Sequence, residues 1–394
     1  MTSIERVQRF SFYIAVISVT VFVIFILLEA GTRIVEKVEK IKGAQQASQT
    51  SQPPPNSRRL VWRVSRNFRF FPYLMYRAPT NLKIEGDSVE TDSRGLRSPE
   101  FVSPKPEGVY RIVVLGGSAA WGIGARNFDE TFCGILRSRL TPSGATKNKI
   151  EVINAAQVGY NSTQELIFLE EEILGFAPDF VVFFNGFNEL STTIMWNEDF
   201  PEGSYWQIPY DYAWMKSRIL SPPGTSGTDI FNLVRLSHFL DKLLTPPGQK
   251  NGDFSLDSSI REQKLKWGRS AIGRYRKNLE LAFMILKDRR IASAVAVQPI
   301  LSRNKKPAEG ELEFVRNWPL ITELYPEVIR VAEEAAATSG ASFWDLTTVY
   351  ENHPEQTYLD ICHFNQRGHI IIGEKLAELI RPHLPAPARE TIKH

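Results

Sequence analysis

Residues 111–122 read RIVVLGGSAAWG. An apolar run from Ile112 to Leu115 stops at Gly116-Gly117-Ser118, and small residues and Gly122 follow. A short apolar run bounded by glycines reads as a buried strand. Two glycines then permit a tight bend, through dihedrals that other residues avoid and with close backbone approach. The bend displays Ser118 at the start of a helix, where unpaired N–H groups favour negative charge.

Outward from this stretch the pattern alternates. Residues 110–115 form the first strand. Residues 129–140 have helical spacing, with Phe132, Ile135, Leu136 and Leu140 on one face. IEVIN, residues 150–154, is a second strand. Residues 162–174 form a helix in which Ser162 and Glu165 have capping-box spacing. DFVVFF, residues 179–184, is a third strand. After a long excursion over 191–269 come helix 270–287, strand 291–298, helix 318–338, strand 341–345 and helix 367–381. Strands alternating with helices predict βαβ units and a parallel sheet. Ligands of such sheets bind at the carboxyl ends of the strands.

Those ends carry a coherent set of groups. Strand one ends at Ser118, and strand two runs into a loop containing Gly159. Strand three ends in Gly186-Phe187-Asn188-Glu189. The last helix is preceded by Asp360-Ile361-Cys362-His363. A serine hydroxyl is a weak nucleophile and needs an adjacent base. His363 can take its proton, and Asp360, three residues earlier, can hold the imidazole in one tautomer and stabilise its cation. Acyl transfer also needs donors aimed at the developing oxyanion. The backbone N–H groups of Ser118 and Gly159 and the side-chain amide of Asn188 supply three.

These four blocks resemble those of the SGNH (GDSL-type) hydrolases. GGS118 is similar to the nucleophile block and Gly159 to the second. Gly186-Phe187-Asn188 is similar to the Gly-x-Asn block, and Asp360 to His363 to the Asp-x-x-His block. The resemblance covers roughly residues 108–385. It implies a flavodoxin-like three-layer α/β/α fold with a central parallel five-stranded sheet. It also implies hydrolysis of acetyl or acyl esters, often on carbohydrate or lipid, with catalytic Ser118, Asp360 and His363, an oxyanion hole of Ser118, Gly159 and Asn188, and no metal or other cofactor. Two positions depart from the pattern: Gly117 stands where the family has an acid, and Glu189 where it often has Asp.

Other readings of the same residues are weaker. GGSAAWGIG lacks the terminal G-K-[ST] of a phosphate loop and contains no G-x-G-x-x-G. Cys362 reads as packing beneath its loop rather than as a nucleophile. Asp360, His363 and His369 would ligate a metal only in a geometry that their spacing does not supply. His238, His353, His383 and His394 have no partners at informative spacing. Two cysteines, Cys133 and Cys362, make no disulfide framework, although a single bridge between them is open.

The chain has 394 residues and a formal net charge of +3, with both signs interspersed. That is ample for a sizeable core and gives no footprint for nucleic acid. The first nine residues are short and basic. Residues 10–28 then run for 19 residues without a charge, long enough to span a bilayer. A cleaved signal has a shorter apolar core and a small-residue cleavage site, which EAGTR does not provide. The reading is therefore an anchor over 10–30, then a juxtamembrane helix and a Pro/Gln/Ser linker over 31–59. An N-terminal extension packs on the sheet over 60–107, the hydrolase domain spans 108–385, and 386–394 form a tail. Arg33, Lys37, Lys40 and Lys42 outnumber Arg6 and Arg9, which alone favours a cytoplasmic C-terminal side. Long domains, however, translocate largely regardless of such charges. The expectation is a single-pass membrane protein with its domain on the extracytoplasmic side.

Within the insert 191–269, Trp196, Phe200, Tyr205, Trp206, Tyr210, Tyr212 and Trp214 either form a small core of their own or cover the site and set specificity. Arg94 and Arg97 precede strand one and read as makers of structural ion pairs, with an anionic substrate as the alternative. Two rivals to the esterase remain on this sequence. One is an acyltransferase that uses the same triad in surface polysaccharide modification. The other is a non-catalytic, membrane-tethered binding or assembly protein.

Overall fold

Continuous apolar runs of five or six residues suit a strand covered on both faces. Five such strands form the centre of the computed structural model, which describes residues 67–84, 89–141, 150–194, 258–304, 306–312, 314 and 318–385. The expected membrane anchor and linker, the middle of the aromatic insert (195–257) and the expected tail lie outside the described residues. Among the described residues no helix is long and apolar enough to cross a membrane.

Two antiparallel hairpins come first: β1 (Arg69–Phe71) with β2 (Met75–Arg77), and β3 (Lys83–Ile84) with β4 (Val89–Glu90). The sheet follows, from β5 (Tyr110–Gly116), β6 (Ile150–Asn154), β7 (Phe180–Asn185), β8 (Ala292–Val297) and β9 (Ser342–Asp345). Its spatial order is β6-β5-β7-β8-β9 and every pairing is parallel. Numbered within the sheet, that order is 2-1-3-4-5, the flavodoxin-like arrangement. Its switch point lies between β5 and β7, the strands that lead into Ser118 and Asn188. All six residues of β7 are buried, as are the last six of β5, so both faces are covered.

The cover comes from two groups of helices. The helices are α1 (Ser118–Trp121), α2 (Phe132–Leu140), α3 (Ser162–Glu171), α4 (Phe187–Ile194), α5 (Ser258–Asp288), α6 (Leu301–Asn304), α7 (Pro319–Ser339) and α8 (Gln366–Ile380). One group is α3, α4, α5 and α7; the other is α2 with α8. The sheet-edge charges are satisfied rather than stranded. Arg111 of β5, fully buried, pairs with Glu151 at 2.7 Å across the β5–β6 register and donates to Val102 O at 2.7 Å.

Three local expectations change. The helix expected over 129–140 is broken at Thr131: Phe128–Glu130 is a 3-10 turn, and Thr131 Oγ1 then caps α2 by accepting from Gly134 N. The helix expected over 162–174 ends at Glu171, and its capping box is Asn161 with Gln164, not Ser162 with Glu165. Asn161 has the stronger claim because its side chain reaches Thr163 N at 3.0 Å while Gln164 Oε1 accepts from Asn161 N at 3.3 Å. The helix expected from residue 270 begins at Ser258, and α4 runs to Ile194, so both ends of the segment 191–269 are helical.

The segment 91–101 docks as a turn. Asp92 Oδ1 accepts from Arg94 N and Leu96 N at 2.9 and 2.7 Å. Gln157, in the loop after β6, joins this extension to the sheet: its Oε1 accepts from Ala78 N at 3.0 Å and its Nε2 donates to Gly95 O at 3.2 Å.

Candidate active site

Close approach, more than unusual dihedrals, explains the glycine pair. A Cβ on Gly116 would lie 2.3 Å from Phe184 O, and one on Gly117 would lie 2.2 Å from Asn188 Nδ2. Gly117 itself is extended, with φ −89° and ψ −154°, so the bend needs no left-handed residue there. Ser118 opens α1, which has only four residues, so the helix dipole expected to favour anions beside it is small. The far end of α1 is held from two sides. Asn154 Nδ2 donates to Ala120 O at 2.9 Å, and Arg97 donates to Gly122 O and Ala125 O, both at 2.7 Å. Arg97 is thus neither the ion-pair maker nor the substrate ligand read from sequence. It is buried against carbonyls, and that burial lowers its pKa to about 10. Arg94 does form an ion pair, with Glu100 at 3.3 Å.

Asp360 and His363 arrive on a loop closed like a hairpin. Leu359 N donates to His363 O at 2.8 Å and Asn365 N to Thr357 O at 2.9 Å. Glu311, fully buried, anchors the base of this loop. Its Oε1 accepts from Thr357 N and Tyr358 N, both at 2.9 Å, and its Oε2 from Ala308 N at 2.9 Å.

The three sequence-predicted side chains meet in one chain of hydrogen bonds. Ser118 Oγ lies 2.7 Å from His363 Nε2, and His363 Nδ1 lies 2.6 Å from Asp360 Oδ2. An ionised Asp360 can only accept, which puts the proton on Nδ1 and leaves Nε2 to accept from the serine hydroxyl. Asp360 Oδ1 is occupied as well, by Cys362 N at 2.9 Å and His363 N at 2.8 Å. Burial pushes the Asp360 carboxyl up, but the His363 imidazole and the two N–H bonds outweigh it and hold it well below the usual carboxylate range. Ser118 and His363 are each 8% exposed, so both are buried but not sealed from solvent.

Cys133 and Cys362 are free and buried, so the possible bridge is not formed. Cys362 Sγ lies 3.7 Å from His363 Nδ1, and burial raises its thiol pKa well above the ordinary value. It is a neutral neighbour and not a nucleophile. Asp360, Cys362 and His363 offer ligand atoms within 4.8 Å of one another. Both imidazole nitrogens, however, already face Ser118 and Asp360, so this donor set does not fit a metal. His369 stands apart in the core, its Nε2 3.2 Å from Ile123 O, and burial lowers its pKa to about 4.

The β5–β6 ladder continues beyond the strands and places the candidate oxyanion segments side by side. Ala155 N donates to Val114 O and Gln157 N to Gly116 O, at 2.9 and 3.0 Å. This brings residues 158–160 alongside Gly117 and Ser118. Gly159 has φ +83°, a left-handed conformation that favours glycine. Asn188 Nδ2 donates to Tyr160 O at 2.7 Å, which fixes the orientation of the amide beside Gly117.

Glu189 was visible in the sequence only as a departure from the family pattern. It accepts from Ser162 N at 2.7 Å and Ser162 Oγ at 3.0 Å. Burial pushes its pKa up to about 7, against the two Ser162 bonds and the charge of Arg274. Glu165 lies nearby and is raised well above the ordinary value, by burial first and by Glu189 second, while Asn185 Nδ2 donates to it at 2.6 Å. Asn154, Glu311 and Tyr76 also hold the site together, and no motif announces them.

In sheet order and in the placement of all four blocks, the chain is similar to the SGNH (GDSL-type) hydrolases. Solved structures of similar fold include a lipase/acylhydrolase from Enterococcus faecalis. It is 16% identical, with TM-score 0.41, over 70% of this chain and 98% of its own. An acetyl xylan esterase is 15% identical, with TM-score 0.39, over 68% of this chain and 99% of its own. An acetylxylan esterase from Geobacillus stearothermophilus, solved as a catalytic mutant, is 12% identical, with TM-score 0.40, over 69% and 94%. No protein-family model and no curated protein matches the chain.

Proposed function

We propose that this chain is a serine esterase of SGNH type that cleaves carboxylic esters through an acyl-enzyme on Ser118. The observation that carries this reading is the unbroken chain from Ser118 Oγ through His363 to Asp360, at 2.7 and 2.6 Å. Ser118 Oγ attacks the ester carbonyl carbon as its proton passes to His363 Nε2. Asp360 stabilises the imidazolium. The carbonyl oxygen becomes an oxyanion and accepts from the N–H groups of Ser118 and Gly159 and from the Asn188 amide. Collapse expels the alcohol, which takes the proton from His363. Water then enters, gives its proton to His363 and releases the acid, and Ser118 regains its hydrogen.

The substrate class in this reading is an acetyl or acyl ester on carbohydrate or lipid, as the family resemblance implies. The uncharged run at 10–28 supports a further part of it, that the domain is tethered to a membrane. The short basic N-terminus before that run, as in an export signal, is the ground for placing the domain on the extracytoplasmic side. The test is turnover of p-nitrophenyl acetate and of longer acyl chains by the full chain in detergent. Release that vanishes in Ser118→Ala is the expected result. A folded protein that releases nothing from any of them contradicts the proposal.

A further inference from the structure

The second oxyanion donor sits in a turn that can exist in two forms. Tyr160 N donates to Gln157 O at 3.2 Å, closing a four-residue turn over Gln157-Val158-Gly159-Tyr160. Gly159 occupies its third position with φ +83°, the signature of a type II turn. Types I and II differ chiefly in the orientation of the central peptide, here Val158–Gly159. That peptide carries the Gly159 N–H. A trans peptide holds its C=O and N–H on opposite sides. Whatever fixes the Val158 carbonyl therefore fixes where the Gly159 N–H points.

Tyr76 fixes it. Its hydroxyl donates to Val158 O at 3.0 Å, inside the core. The Tyr76 hydroxyl oxygen would lie 2.6 Å from a Cβ on Gly159, so only a glycine leaves room for it there. The Tyr76 ring is 4% exposed, stacked on Phe68 at 5.3 Å and edge-on to Tyr160 at 5.6 Å. Tyr160 Oη in turn donates to Tyr76 O at 2.7 Å. Tyr76 lies in β2, outside the region 108–385 that carries the family resemblance.

We propose that Tyr76 is a positioning residue for the oxyanion hole, locking the Val158–Gly159 peptide in the orientation that aims the Gly159 N–H at the reacting carbonyl. The N-terminal extension is then a working part of the active site. This inference rests on the esterase reading. A hydrogen bond that also polarises the peptide strengthens the N–H on its other side.

The test compares two single-hydroxyl deletions in the full chain. Tyr76→Phe keeps the ring and its packing but frees the Val158 carbonyl. Tyr160→Phe removes the companion bond at the same junction without touching that carbonyl. On p-nitrophenyl acetate, Tyr76→Phe lowers kcat about tenfold, equivalent to about 1.4 kcal/mol, with KM within about twofold. Capture of a fluorophosphonate slows in parallel, because that adduct also places an oxygen in the hole. Tyr160→Phe costs thermal stability but lowers kcat clearly less than Tyr76→Phe does. Unchanged kcat in Tyr76→Phe overturns the inference, and so does an equal loss in both variants, which marks a merely structural junction. A folded wild type that shows neither Ser118-dependent turnover nor labelling refutes the esterase reading itself, and this inference with it.

Discussion

Glu189 accepts hydrogen bonds from both the backbone N–H and the hydroxyl of Ser162, at 2.7 and 3.0 Å, and so ties the first turn of α4, which carries Asn188, to the start of α3, just after the turn that carries Gly159. The two side-chain and backbone donors proposed for the oxyanion thus share one clamp. Asn278 Nδ2, from α5, braces it by donating to Ser162 Oγ at 2.9 Å.

The clamp makes stability depend on pH. Burial holds the Glu189 carboxyl at about 7 in the folded chain, against 4.5 for the ordinary group. Between these values the folded state binds more protons than the unfolded state, so stability falls as pH rises from about 4.5 to 7 and is level above. The contribution is on the order of 3 kcal/mol. Glu189→Gln removes it, so the melting temperature of the variant falls less between pH 5 and pH 8 than that of the wild type. Thermal unfolding at four pH values checks this, and parallel slopes for the two proteins would count against it. Glu165 contributes in the same direction and remains in both.

Gly117 and Asn188 are predicted to act as one unit. A methyl on Gly117 would lie 2.2 Å from Asn188 Nδ2 and must displace the amide. Asn188→Ala lowers kcat by about 10²–10³, the usual loss for one oxyanion donor. Gly117→Ala lowers it to a similar extent, and the double variant is no worse than Asn188→Ala alone. Losses that multiply in the double variant would show that the two residues act separately.

Glu311 is predicted to matter through the loop it anchors. Glu311→Ala leaves the buried N–H groups of Thr357 and Tyr358, and the half-buried one of Ala308, without their acceptor. Each such loss costs about 1–3 kcal/mol. The melting temperature falls by several degrees, and kcat falls as the Asp360–His363 loop loosens. Glu311→Gln keeps one oxygen for Thr357 and Tyr358 and is milder on both measures. A wild-type melting temperature for Glu311→Ala would exclude this role.

Strand positions were legible because the fold covers β5 and β7 on both faces, which forces continuous apolar runs such as Ile112–Leu115. The meeting of Ser118, His363 and Asp360 was legible because the proposed chemistry needs fixed residue types, one after a strand and two at fixed spacing before a helix. The supports were not. Tyr76, Asn154 and Glu311 act on carbonyls and N–H groups far away in sequence, and such contacts leave no periodicity or spacing to read. The cap of α3 was misread for a related reason. Ser162 and Glu165 have the right spacing for a capping box, but Ser162 bonds Glu189 and Glu165 accepts from Asn185, which leaves the cap to Asn161 and Gln164. Arg97 was misread because an arginine in a polar turn suggests an ion pair, whereas three carbonyls at the end of α1 receive it here.

The most direct test of the central claim is the intact mass of the full chain after incubation with a fluorophosphonate, beside Ser118→Ala treated in the same way. The hydrogen-bonded Ser118–His363–Asp360 chain predicts one adduct, located on Ser118, and none in the variant. A folded wild type that takes up no adduct, or one that is labelled equally in Ser118→Ala, would contradict the account.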